Sequence, residues 1–150
     1  MWVNLLDNMQ AKLTFVGESN SDWDDDSSEQ HHKLTIRNTK TNKTCSFSYW
    51  TSRANPHPDL DSEDTIFGAV YCVISDIDMY NQSYNETNFC KEIGMTDPVE
   101  EAYDKEVPVE KTKGHKVYMG CKSEARRMYD AGFTDDDFEK FFSVANEKGF

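Results

Sequence analysis

The chain has 150 residues, of which 37% are hydrophobic, 13% aromatic and 29% charged, and its formal net charge is −12. That length suits one domain with a single core, and the aromatic content excludes a chain disordered by composition. The acidity runs along the whole sequence, with 11 acidic against 6 basic residues up to position 75 and 17 against 10 beyond it. Such a surface repels nucleic-acid phosphates and anionic membranes over a Debye length of about 10 Å and favours a cationic partner; plain solubility is its other use.

The four cysteines, Cys45, Cys72, Cys90 and Cys121, stand far apart with no CxxC pair, so reduced thiols are expected rather than a disulfide framework. No basic region followed by an apolar run opens the chain, and no stretch reaches the roughly 18 apolar residues of a membrane span, so an intracellular, membrane-free protein is expected. On that expectation the sequons at Asn42, Asn81 and Asn85 are coincidental.

Residues 1 to 10 fit a short strand or a first helical turn. Lys12 to Val16 alternates polar and apolar residues and ends at Gly17, the pattern of a half-buried strand. The next stretch, with Asp22, Asp24, Asp25, Asp26 and Glu29 around Trp23, has no period and is expected to be an exposed loop. His32 to Arg37 places Leu34 and Ile36 on one face, and Cys45 to Thr51 places Cys45, Phe47 and Tyr49 on one face. The polar segment between them reads as a hairpin turn. Pro56 and Pro58 then break the sheet.

Asp61 to Tyr80 is the most regular segment, with Ile66, Phe67, Val70, Tyr71, Ile74 and Ile77 on one stripe of a helix about 30 Å long, capped by Asp61 or Ser62. A shorter helix from Thr87 turns Phe89, Cys90 and Ile93 inward and stops at Gly94. Asp97-Pro98-Val99-Glu100 is a helix start running to about Asp104. The segment 105–114 reads as a turn or excursion. From Lys116 a further helix carries Val117, Tyr118, Cys121, Ala125, Met128 and Tyr129 inward and closes at Gly132. Thr134 caps a last helix with Asp135, Asp136 and Asp137 in its first turn, a stripe of Phe138, Phe141, Phe142 and Ala145, and Gly149 at its end. Strands followed by helices predict one α+β domain over 1–150: an antiparallel sheet of about three strands in 1–55, packed on the long helix, and a helical part over 61–150.

None of His31, His32, His57 and His115 forms a metal-binding motif, so they read as exposed loop histidines, and neither metal nor cofactor is expected. No nucleophile elbow or glycine-rich phosphate cradle appears. Paired carboxylates such as Asp76 and Asp78, or Asp24 to Asp26, are an opening for a metal-dependent or acid-base enzyme, as is a metal site assembled from distant pieces. Lys122, Arg126 and Arg127 read as an ion-paired helix face beside Glu124 and Asp130. What remains is the acidity. Asp22 to Asp26 with Glu29, Asp97 with Glu100 and Glu101, and Asp135, Asp136, Asp137 with Glu139 form rows of carboxylates able to stand in for backbone phosphates in a basic cleft. A further cluster spans Asp59 to Asp64. Carboxylates in first helical turns also serve simply to stabilise the helix.

The hairpin TIRNTKTNKTCSFSYWT, the long helix, then TNFCKEIGM with Phe89, Cys90 and Gly94, and CKSEARRM give residues 32 to 130 a pattern that resembles a loose group of small acidic bacteriophage and prophage proteins. Trp50-Thr51-Ser52 stands where that group has a glycine, and 105–114 divides what is a continuous helix there. The resemblance implies an inhibitor of host defence, of the anti-CRISPR or anti-restriction type, in the cytoplasm of an infected bacterium. The expectation is therefore a non-enzymatic protein that binds a CRISPR effector, nuclease or restriction enzyme through an acidic surface, with no direct contact to nucleic acid. A small interaction module that forms homodimers or hetero-oligomers through Trp2, Trp23, Trp50 and Phe150 is the alternative.

Overall fold

A computed structural model describes residues 1–20, 28–50 and 59–150, in an α+β arrangement of four strands followed by five α-helices and one 3₁₀ turn. These residues fall into two compact units, Met1–Cys72 with Arg127–Phe150, and Val73–Arg126. The division does not follow the change from strand to helix, because two long helices each contribute to both units.

In the first unit, β1 (Val3–Leu6), β2 (Met9–Asn20), β3 (Ser28–Asn38) and β4 (Lys43–Trp50) form an antiparallel meander in chain order. Within the first ten residues Val3–Leu6 become a strand, with Val3 and Leu5 buried and Asn4 between them exposed, a period of two, and Met9 already begins β2. Gly17 does not end β2. The register shifts between Phe15 and Gly17, so the glycine pairs with His31 and the strand continues to Asn20, as happens when a bulge absorbs one extra residue. The expected loop thus shortens at both ends; Asp22, Trp23, Asp24, Asp25 and Asp26 lie outside the described residues.

One face of the sheet is apolar. Ala11 pairs with Ile36 and Ile36 with Cys45, while Leu13 pairs with Leu34 and Leu34 with Phe47, all six buried. The same rows contain Met9 and His32. The other face carries Gln10, Lys12 and Thr14 on β2, Lys33, Thr35 and Arg37 on β3, and Thr44, Ser46 and Ser48 on β4, as the alternation of a strand requires.

Helix α1 (Glu63–Gln82) starts where Ser62 accepts the Thr65 amide at 3.4 Å. Its stripe is buried as the spacing predicts, except that Tyr71 is half-buried. The last helix, α5 (Asp135–Lys148), is opened by a reciprocal cap: the Thr134 hydroxyl accepts the Asp137 amide, and the Asp137 carboxylate accepts the Thr134 amide at 2.9 Å. Phe67 of α1 stacks on Phe141 of α5, with ring centroids 4.7 Å apart, and also meets Phe150 at 5.0 Å. The start of α1 therefore lies near the end of α5.

In the second unit, α2 (Glu86–Glu92) is capped by Asn85, and α3 (Pro98–Lys105) by Asp97 with proline at its start. Phe89, Cys90 and Cys121 form the centre of the core here, with Met79, Tyr80, Ile93, Met95 and Tyr118 around them. The segment 105–114 is a 3₁₀ turn (Val109–Lys111) that feeds directly into α4 (Lys113–Asp130). That helix begins three residues earlier than the periodicity suggests because Thr112 accepts the His115 amide at 3.4 Å, and the Glu101 carboxylate takes the Lys113 amide at 3.1 Å. Gly114 fits there because a Cβ would stand 2.7 Å from Cys90 Sγ. The buried stripe of α4 is Cys121, Ala125 and Met128; Val117 and Tyr129, expected inward, are exposed.

Candidate functional site

The carboxylates that the sequence singles out divide by environment. At the start of α5, Asp135, Asp136 and Glu139 are exposed. Asp135 accepts the Tyr129 hydroxyl, and Asp136 pairs with Lys140 at 3.1 Å while staying 69% exposed. Asp137 is buried, and beyond its capping role it accepts the Asn8 side-chain amide at 3.2 Å. Its expected place on a partner-facing surface is corrected: the carboxylate is consumed inside the fold.

The α3 cluster divides in the same way. Glu100 is exposed, and Asp97 is half-buried, accepting the Val99 amide at 3.1 Å and the Thr87 hydroxyl at 3.3 Å. Glu101 is buried, receives Lys105 Nζ at 2.9 Å and ties α3 to the first amide of α4. The Lys105 hydrogen bond chiefly holds its carboxyl below the usual carboxylate range, against the opposing effect of burial. Glu101, too, is corrected from a docking residue to a structural anion. Glu29 lies in β3. The Asp59–Asp64 cluster leads into α1 and the Asp135–Glu139 cluster opens α5, so they stand at the starts of two different helices.

The other chemistries dissolve into structure. Asp76 hydrogen-bonds Glu124, with burial pushing its carboxyl up, whereas Asp78 accepts from Gln82 at 2.8 Å, so the two aspartates serve separate contacts. Among the described residues no group of three or more His, Cys, Asp or Glu side chains is arranged around a common metal position. No disulfide joins the four cysteines. Burial drives the thiols of Cys45 and Cys121 up to about 12 and that of Cys90 upward too, the opposite of what a nucleophile needs. Arg127, expected on an ion-paired helix face, donates its guanidinium to the Ser46 carbonyl at 2.9 Å and lies 5.3 Å from the Phe47 ring centre. Of the proposed aromatic anchors, Trp2 is half-buried under Lys12 and Arg37, and Phe150 packs against Phe67 and Tyr71. Trp23 lies outside the described residues.

The three described histidines are not loop residues. His115 Nδ1 donates to Glu86 at 2.5 Å, His31 lies in β3, and His57 falls outside the described residues. His32 is 1% exposed, between Phe15 and Tyr49 with ring centres at 5.7 and 6.3 Å. Neither of its ring nitrogens finds a hydrogen-bond partner among the described residues. Its place was legible, since it shares parity with Leu34 and Ile36. Burial, and then the neighbouring His31, lower its pKa, so the native state holds the ring neutral. The unfolded chain binds a proton at higher pH than the native one. The resulting stability is present above pH about 6.5, the unperturbed value, and is lost as pH falls below it. His32→Phe is expected to remove that loss, measured as the difference in thermal midpoint between neutral and mildly acidic buffer; an unchanged acid shift in the variant would place its origin elsewhere.

No protein-family model, curated protein or solved structure matches this chain.

Proposed function

We propose that the chain is a non-enzymatic binding protein of the kind bacteriophages direct at host nucleic-acid defences, and that its exposed carboxylates occupy a basic cleft of a CRISPR effector, nuclease or restriction enzyme in the bacterial cytoplasm. The observation that carries the proposal is where the charge lies. Residues 59–150 hold 21 acidic against 10 basic residues, and the carboxylates at the start of α5 exceed what the helix uses. Asp137 alone completes the cap, and Asp135, Asp136 and Glu139 stay exposed in and next to one helical turn, Asp135 taking the Tyr129 hydroxyl and Asp136 sharing its charge with Lys140. Exposed carboxylates at that density attract a cationic cleft and speed encounter with it.

Capture from lysate of a bacterial host, with elution by rising salt, tests the proposal. A basic nucleic-acid enzyme released at moderate salt is the expected result, because contacts between exposed charges weaken as the Debye length shrinks. Retention of only this chain itself, or of a partner that stays bound through high salt, would contradict it.

A further inference from the structure

We propose that the solvent face of the four-stranded sheet binds single-stranded nucleic acid through its phosphates. The inference is independent of the acidic-surface proposal, and it replaces the expectation, drawn from net charge, that the chain makes no direct contact with nucleic acid. Net charge describes the molecule at a distance; within a Debye length the local arrangement decides. On this face the local sign is reversed. In a chain with 28 acidic and 16 basic residues, every charged side chain on this face between the pairs Gln10–Arg37 and Thr14–Lys33, namely Lys12, Lys33 and Arg37, is a cation.

The register places them together. Lys12 pairs with Thr35, so Lys33 and Arg37 are its two diagonal neighbours across β2 and β3, each about 7–8 Å away. None of the three forms an ion pair with a carboxylate among the described residues. Three cations set side by side without counter-charge repel one another, a cost that a bound polyanion relieves. The residues between them are hydrogen-bond donors suited to phosphate oxygens: Thr14 and Ser48 flank Lys33, Thr35 and Ser46 flank each other beside Lys12, and Thr44 flanks Arg37.

Both ends of the track are shaped. At one end a groove of about 340 Å³ at the β4 side is lined by Val16, His31, Lys33, Ser46, Phe47, Ser48 and Arg127. At the other, Arg37 is held by Gln10 at 3.0 and 2.5 Å and lies 4.0 Å from the Trp2 ring centre, with Lys12 Nζ at 4.8 Å from the same ring. That corner is pre-ordered, so little side-chain freedom remains to be lost on binding. A single strand fits better than a duplex. A duplex carries about twice the charge per unit length and is rigid, whereas a flexible strand can follow the track.

The test is fluorescence anisotropy of a labelled oligothymidylate titrated with the full chain at several salt concentrations. Three or four neutralised phosphates predict a slope of about −2 to −3 in log affinity against log salt. K12S/K33S is expected to weaken binding at least about tenfold, roughly 1.4 kcal/mol, while K122S on α4 leaves it unchanged. Lys33→Gln alone, at an exposed position, serves if the double variant does not fold. No binding, binding unaffected by K12S/K33S, or tighter binding to duplex would overturn the proposal. Salt-sensitive self-association abolished by K12S/K33S, without binding to the oligonucleotide, would overturn it in favour of a second copy of the chain as the occupant.

Discussion

Phe141→Ala is expected to destabilise the protein by about 3–5 kcal/mol, a large share of the total stability of a domain this size. The side chain is fully buried, stacks on Phe67 with 15° between the ring planes, and meets Phe142 edge-on at 6.3 Å. Truncation removes the transfer free energy of the ring and leaves a cavity between α1 and α5. The surroundings cannot collapse into it cheaply, since Phe67 is also held by Phe150. Urea denaturation followed by circular dichroism reads the loss as a lower midpoint at unchanged slope. A change under 1 kcal/mol would mean that the pair is not the centre of this layer.

Gly132→Val carries the second large effect, roughly 2–5 kcal/mol, from a left-handed backbone and an overfilled contact. Gly132 has φ +91 immediately beyond α4, where the Phe133 amide reaches back to the Met128 carbonyl at 3.2 Å, the geometry that a glycine after a helix supplies. A Cβ at this position would lie 2.6 Å from Thr41 Cγ2. Thr41 is not free to turn away, because its hydroxyl donates to the Ala131 carbonyl at 2.8 Å. Gly149→Val is the matched control: φ is +88 but nothing lies within 4 Å of a Cβ, so only the backbone cost of about 1–2 kcal/mol applies. Equal thermal shifts for the two variants would show that the contact with Thr41 contributes nothing.

Much of the fold was legible because its signals are local. The stripe from Ile66 to Ile77, the Asp97-Pro98 start and the Thr134 cap are each decided within a turn or two of helix, and each forms where the spacing puts it. The failures come from partners distant in sequence. Gly17 reads as a stop until β3 offers the register that lets the strand pass it. Lys113 begins α4 because a carboxylate 12 positions earlier takes its amide, which no window over 105–114 contains. Counting acidic residues could not separate Asp135 and Asp136, left at the surface, from Asp137, spent on the cap and on Asn8, although Thr134 three positions before Asp137 is a signal for that role. The cations of the sheet face were legible one at a time, at alternating positions of β2 and β3. Their adjacency was not, since it depends on the pairing of Lys12 with Thr35.

The proposed inhibitor rests on exposed carboxylates rather than on apolar contact, and one comparison bears on that most directly. With the captured partner purified, its affinity for the wild-type chain and for D135N/D136N/E139Q is measured across a series of ionic strengths. These three residues are exposed and Asp137 is left intact, so the cap is kept. Wild-type affinity that falls steadily with salt, and a variant that binds at least about tenfold more weakly at low salt and converges with wild type at high salt, is the result expected of a charge-driven contact. Equal affinity for the two proteins at every salt concentration would contradict it.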